Sequence, residues 1–346
     1  MESGNMSKST AATTRVRRHP WRTTAVIIGV LALVGGGSAA AYAMQLGQTW
    51  DQKTVKLANA FPAADVRPEA PAPTAAPAAQ NILVLGSDTR GDGNTSIDGL
   101  EGQRSDTIMV VHIPADRQHI TVMSIMRDSW VDIPGYGEAK INAALSYGGV
   151  PLAVQTIEGM IGARIDHVAV VDFAGFRGVA DALGGVNVYN SIPFDSSKMP
   201  GHRFERGMQA MNGEEALAFV RERYAFDDGD FQRARNQQEF AKGVMSQVMN
   251  AAILTNPGRL GGLVSAIAPY LVVDSGFDAG YVGQLAVELR DVTPTDVSFF
   301  TAPTSGTGTS SDGQSIVNVD WDAFVAVKSA FQSDSAEQFA ALIPPK

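Results

Sequence analysis

Apolar residues follow three rhythms along this chain. Residues 24–44, TAVIIGVLALVGGGSAAAYAM, form one continuous stretch without a charge. As a helix rising 1.5 Å per residue it would reach about 31 Å, enough to cross a hydrocarbon core. Further on the apolar runs are short. NILVLG at 81–86 predicts a strand buried on both faces. Thr107–Ile113 and His119–Ile125 predict two more, joined by the turn sequence Pro114-Ala115-Asp116-Arg117 as a hairpin. Asp166–Phe173 and Val297–Thr301 read as further strands. Between them the spacing becomes helical, over Ile141–Tyr147, Leu152–Ile161, Ala174–Leu183 (closed by Gly184-Gly185), Asn212–Tyr224, Asp230–Asn250 and Trp321–Phe331. Asn212 is placed to cap its helix, and Asn256-Pro257 opens another. Strands and helices alternate, which predicts a three-layer α/β/α arrangement with a mixed central sheet, preceded by one N-terminal transmembrane helix.

The flanks of the long apolar stretch orient it. Arg15, Arg17, Arg18 and Arg22 precede it and Asp51 lies beyond it, so the positive-inside tendency places residues 1–23 in the cytoplasm and the rest outside. Residues 24–46 read as a retained anchor. The triplet Ala41-Tyr42-Ala43 supports a second reading, a cleaved signal peptide; both export the remainder of the chain. Residues 47–80 are rich in proline and alanine, a composition that favours extended backbone, and read as an extracellular linker. A folded domain is expected over 81–335, with 303–315 (PTSGTGTSSDGQS) as a flexible loop and 336–346 as a fraying tail.

Composition narrows the chemistry. The net charge of −9 gives no overall basic field for nucleic acid, although arginine is dense over 203–235. The absence of cysteine excludes disulfides, thiolate zinc sites and thiol nucleophiles. No phosphate-loop, G-x-S-x-G or H-E-x-x-H pattern occurs, and His112, His119, His167 and His202 are scattered.

What remains is acidic and guanidinium chemistry at strand ends. Asp88 comes just after NILVLG and Asp106 opens the next strand, where open α/β sheets bind ligands. Two such carboxylates suit Mg²⁺ shared with phosphate oxygens, or they simply cap turns. Arg90, Arg104 and Arg127 lie in the same loops or at a strand end. Arg221 and Arg223 end one helix, and Arg233 begins the next. Their planar forks suit phosphate, or they form a solvated surface. Asp230, Arg233 and Gln237 fall at i, i+3 and i+7, one polar stripe beside the apolar positions Phe231, Ala234, Ala241, Met245 and Val248.

Taken in order, NILVLGSDTR, RSDTIMVVHI, SIMRDSWVDI, KINAALSYGG, VDFAGF, DALGGV, MNGEEALAFVRERY and GDFQRARNQQ resemble the LytR-CpsA-Psr family from about Asn81 to Met249. The resemblance implies a membrane-bound transferase moving a phosphate-linked glycopolymer from a polyprenyl-pyrophosphate carrier to the 6-hydroxyl of N-acetylmuramic acid in peptidoglycan, with no nucleic-acid partner. It implies Mg²⁺, with Mn²⁺ as the substitute, on Asp88 and Asp106. It implies a pyrophosphate grip by Arg104, Arg127, Arg221, Arg223, Arg233 and Gln237, joined here by Arg90 from the same loop. Arg104, Arg127 and Asp230 are the expected catalytic set, and Met109, Val111, Phe173 and Phe176 the candidates for a lipid tunnel. A polyprenyl-pyrophosphate hydrolase and a non-catalytic lipid-binding regulator stand as alternatives. Two departures stand out: Met126 replaces the proline common before the Arg-Asp pair, and residues 89–103 are unusually rich in Gly and Asp. The glycan stays open between arabinogalactan, teichoic acid and capsule.

Overall fold

The computed structural model describes residues 41–70, 77–87, 105–249 and 256–343. By its internal contacts the chain parts between Gln45 and Leu46, and the unit from Leu46 onward is the folded domain. The greater part of the stretch read as an anchor lies outside the described residues; among those described, no helix is long and apolar enough to cross a membrane.

The domain opens with helix α1 (46–53) and strand β1 (Val55–Leu57). The central strands are β2 (Gln80–Ser87), β3 (Ser105–Ile113), β4 (Ile120–Ile125), β7 (His167–Val171), β12 (Leu271–Asp274) and β13 (Val297–Thr301). They line up as β1-β12-β7-β2-β3-β4-β13. The sheet is mixed: β2 runs parallel to β7 and antiparallel to β3, and β3 and β4 form the expected hairpin.

Period-two alternation decides which face each strand residue serves. Leu83, Leu85, Ile108, Val110, Met123 and Val168 point into the main core beneath α2 (Ala143–Ile161), α8 (Trp321–Gln332) and α9 (Ala336–Leu342). Val84, Met109, Val111 and Val122 point the other way, toward α5 (Asp230–Val248). On that side α3 (Phe173–Ala182), α4 (Gly213–Arg221) and the ribbon β8 (Val186–Asn190) with β11 (Gly207–Met211) complete the third layer around Phe204 and Phe219. The short pair β9 (Phe194–Asp195) and β10 (Arg203–Phe204) closes this cluster. Helices α6 (Pro257–Ile267) and α7 (Ala279–Glu288) flank β12 in sequence.

Four sequence expectations change. The helices expected over 141–147 and 152–161 are one kinked element. Gly148 and Gly149 leave helical geometry, Gly149 at φ 63, and Pro151 removes a backbone donor. The expected loop 303–315 is largely a hairpin, β14 (Thr304–Thr309) with β15 (Ser315–Val319). Its Gly and Thr residues carry little apolar signal, and order comes from backbone pairing onto β5 (Ser129–Ile133), itself joined to β6 (Gly137–Lys140). Residues 336–342 of the expected tail are folded into α9, with Ala336 and Ala340 buried. The linker reading fails over its first part. β1 extends the sheet, Leu57 and Ala60 are buried, and Arg67 forks onto the buried carboxylate of Glu158. Proline content describes how a backbone prefers to extend, and an extended backbone can still dock on a domain.

Candidate active site

The site sits where the antiparallel hairpin brings two chain positions to one sheet edge. Asp106 is near the start of β3, and Arg127 lies two residues past the end of β4. The Arg127 guanidinium donates to the Asp106 carboxylate with Nη1, and with Nε to Asp230 Oδ2 at 3.4 Å. Asp230 is the first residue of α5, where a carboxylate complements the helix dipole. One turn on, Arg233 Nη2 is 3.3 Å from the same Oδ2, and Arg223 Nη1 is 3.6 Å from Oδ1. The expected stripe continues to Gln237, whose amide donates to the Asp106 carbonyl at 3.5 Å.

Arg221 and Arg223 are presented by a turn whose anchor faces the other way. The Asn212–Glu215 capping box fixes the start of α4, and the helix ends at Arg221. Glu222 is then fully buried. Its carboxylate accepts from the Ser197 amide (2.6 Å) and hydroxyl (2.8 Å), and from the amides of Arg223 and Tyr224 (3.0 Å each). The arginines on either side are thereby pushed to the surface of the cleft. Arg221 stacks over the Phe173 ring at 4.2 Å and, among the described residues, makes no ion pair. Phe173 is held by the N-cap of α3, where Asp172 accepts from Gly175 N at 2.7 Å.

Behind this polar mouth lies a cavity of about 490 Å³ between the sheet and α3–α5. Met109, Val111, Phe173 and Phe176 line it, together with Val84, Phe240, Met245 and Phe299. Asp106, Arg127, Arg221, Arg223, Arg233 and Gln237 line its polar end. Asp88, Arg90 and Arg104 fall outside the described residues. Arg235 faces elsewhere, paired with Asp228 and Gln232.

The electrostatics are those of crowded charges. Burial works against ionised Asp230, but Arg233 and Arg127 outweigh it and hold the carboxyl below its ordinary range. Burial also opposes the Arg127 charge, and Asp106, Asp230 and Asp128 together raise it nonetheless. Arg233 moves down, first by burial and then by its neighbour Arg127. Asp128 is raised, by burial first and by a hydrogen bond to Asp230 besides. Four guanidinium groups (Arg127, Arg221, Arg223, Arg233) face the three close carboxyl groups of Asp106, Asp128 and Asp230, a surplus of positive charge suited to a phosphate anion.

Among the described residues no three acidic or histidine side chains gather as a metal cage. Asp106 alone still fits a hard cation shared with substrate, since Mg²⁺ takes one or two carboxylates and completes its shell with phosphate oxygens and water. Asp128, Lys198, Tyr224 and Glu222 were missed from the sequence. Asp128 adjoins Arg127, but nothing in spacing marks a buried Glu222 or a Lys198 that lies 4.7 Å over the Tyr224 ring.

Comparison with known proteins agrees with this architecture. The chain is 31% identical over 286 residues to the cell wall biosynthesis protein LcpA of Corynebacterium glutamicum, covering 71% of this chain and 54% of that protein. It is 33% identical over 200 residues to the polyisoprenyl-teichoic acid–peptidoglycan teichoic acid transferase TagU of Enterococcus faecalis, covering 57% and 62% respectively. It therefore spans little more than half the length of these relatives. The fold matches B. subtilis TagV with a TM-score of 0.64 at 25% identity, over 75% of this chain and 97% of that one. It matches TagT bound to LI-WTA with a TM-score of 0.62 at 23% identity, over 81% and 98%. The LytR_cpsA_psr family model matches residues 41–333, and with an arginine-mouthed cavity between sheet and helices the chain belongs to that family.

Proposed function

We propose that this protein transfers a phosphate-linked glycopolymer from a polyprenyl-pyrophosphate carrier to the 6-hydroxyl of N-acetylmuramic acid in peptidoglycan. The observation that carries this reading is the union of an apolar cavity with a cluster of guanidinium groups at its mouth. A prenyl chain gains roughly 0.8 kcal/mol for each CH₂ it buries there. The pyrophosphate then lies among Arg127, Arg221, Arg223 and Arg233. Relatives named for teichoic acid transfer and cell wall biosynthesis support the assignment.

The acceptor oxygen forms a bond to the phosphorus that carries the glycan, the bond to the polyprenyl phosphate breaks, and the hydroxyl proton is released. Charge moves onto the departing phosphate, so positioned positive charge is the main catalytic need. Arg221, free of ion pairs among the described residues, is available for the anion. Arg127 and Arg233 are held in place by Asp230. Gln237 supplies a neutral donor. Asp106, with Asp88, would hold Mg²⁺ or Mn²⁺, which would add Lewis-acid stabilisation of the phosphate oxygens. Residues 24–46 would anchor the chain in the cell membrane with the catalytic domain outside, where the donor anhydride removes any need for nucleotide.

The test is the full chain in detergent with Mg²⁺, a lipid-pyrophosphate glycan and a peptidoglycan fragment. A covalent glycan–phosphate–glycan product supports the proposal. Release of sugar phosphate alone would replace it with a hydrolase, and binding without turnover with a lipid-binding regulator.

A further inference from the structure

Helices α6 and α7 are apolar without being buried. A helix on a solvated surface buries an apolar stripe and shows charge on its opposite side. The sequences PGRLGGLVSAI and AGYVGQLAVE supply apolar residues in plenty, yet Leu263 is the one buried residue among the described positions of α6, and α7 has none. Their outward sides lack the expected charge. Arg259 is the one charged residue of α6, and α7 runs from Ala279 to Val287 without any. Val287 is 61% exposed, and Tyr270, just past α6, is exposed as well.

Three observations say what covers this face. The first is chain connectivity. Helix α1 begins two residues past Met44, where the long uncharged stretch ends, and it docks on these same helices. Lys53 Nζ donates to the Ser265 carbonyl of α6 at 3.3 Å, and Asp51 accepts from Ala279 N of α7 at 3.0 Å. The second is charge. Among the described residues neither Lys53 nor Arg259 makes an ion pair, whereas the nearby carboxylates are engaged: Asp51 by Ala279 N and Lys56, and Asp278 by Tyr281 N. The charge left over is positive, as anionic headgroups require. A second copy of the chain would instead bring the same cations to the interface. The third is position. Helix α6 packs on α3, where a Cβ at Gly178 would meet the Tyr270 ring at 2.6 Å, and α3 carries Phe173 and Phe176 of the cavity wall.

We propose that α6 and α7 form the bilayer-facing surface of the domain and lie on the headgroup region of an anionic leaflet. Val287 and Tyr270 meet the interface, while Arg259 and Lys53 meet lipid phosphates. This rests on the reading of residues 24–46 as an anchor and adds to it the face that the domain turns toward the membrane. The α3 wall of the apolar cavity then stands next to the bilayer, so a prenyl chain passes from one apolar medium to another without crossing bulk water.

The chain has no cysteine, so a single introduced thiol carries the one label. Val287→Cys on α7, Val325→Cys on α8 and Leu31→Cys in the uncharged stretch are each made in the full chain and labelled with an environment-sensitive fluorophore. Val325 is 69% exposed and α8 covers the other face of the sheet, so it serves as the control. The labelled chains are placed in nanodiscs of mixed neutral and anionic phospholipid containing headgroup-spin-labelled lipid. Quenching at position 287 is expected to exceed that at 325 at least about threefold, and Arg259→Glu is expected to reduce it. Equal quenching at 287 and 325, with position 31 strongly quenched by acyl-chain spin labels, overturns the proposed face and keeps the anchor. Strong quenching at 287 with none at 31 keeps the face and overturns the anchor. Unlabelled Val287→Cys chains that form a 287–287 disulfide in detergent, while the label at 287 escapes quenching in nanodiscs, make the surface a contact between copies and overturn the proposal.

Discussion

The arginines of the site divide by whether a carboxylate already holds them. Arg127 and Arg233 share Asp230, and Arg127 also serves Asp106, so both are positioned before any ligand arrives. Arg221 rests on a ring face instead. Removing it should therefore leave the fold untouched. Arg221→Ala is expected to keep the melting temperature within about 2 °C and to lower transfer by at least ~10²-fold, the scale of losing one oxyanion donor. Arg127→Ala should abolish transfer as well; full activity in either variant removes the proposed grip. Glu222 acts at one remove, holding the turn that aims Arg221 and Arg223. Burial alone would raise its carboxyl. Hydrogen bonds from Ser197, Arg223 and Tyr224 prevail and hold it below the ordinary range. A depressed folded-state pKa contributes stability above the unfolded value near ~4.3, and that contribution is lost as pH falls through the folded value. Glu222→Gln should therefore melt lower than wild type at pH 7, by on the order of 5–10 °C, and lose less than wild type between pH 5 and pH 3. Parallel acid limbs in the two melting curves would show that Glu222 is not ionised in the folded protein.

Helix α5 carries both the polar stripe of the site and the contact that sets its height above the third layer. A Cβ at Gly243 would meet the Asn187 carbonyl oxygen at 2.5 Å, a backbone atom that cannot swing aside. Gly243→Ala is expected to cost about 1–3 kcal/mol in chemical denaturation and to weaken prenyl-pyrophosphate binding, because lifting the helix moves Arg233 and Gln237 with it. Unchanged stability would mean that β8 yields freely. Much of this element was legible from the sequence. The i, i+3, i+7 stripe of Asp230, Arg233 and Gln237 is where the spacing put it, and β2, β3 and β4 follow their apolar runs. Other features were not legible, for physical reasons. Gln232 and Asn236 look like solvent positions but are buried, because they bond to each other at 2.9 Å and Asn236 donates to the Phe219 carbonyl. The β14–β15 hairpin has a loop's composition and owes its order to a partner strand more than 170 residues away in sequence, whose register no local pattern encodes. Glu222 between two arginines reads as one more surface charge until the Ser196–Ser197 turn is seen folded onto it.

At the scale of the whole domain, the segment ahead of β2 is part of what holds the sheet together. β1 covers β12, which without it would be a bare edge strand. In α1, Trp50 donates to the Phe277 carbonyl at 3.1 Å, and Asp51 accepts from Ala279 N at 3.0 Å. The strongest tie is Arg67. Its fork reaches Glu158 Oε1 at 2.6 Å and 3.0 Å, and it also donates to the Ile165 carbonyl; the Glu158 side chain is 1% exposed. Breaking a buried pair from one side strands the remaining charge, which typically costs about 3–5 kcal/mol. A chain beginning at Asn81, the boundary that proline content alone suggests, should therefore melt on the order of 10 °C below one beginning at Leu46. Arg67→Ala in the longer chain should reproduce most of that loss. Arg67→Met combined with Glu158→Met should recover part of it, since two apolar side chains leave no unpaired charge behind. If the chain from Asn81 melts with the longer one, the Arg67–Glu158 pair contributes nothing to the fold and residues 46–70 are an appendage after all.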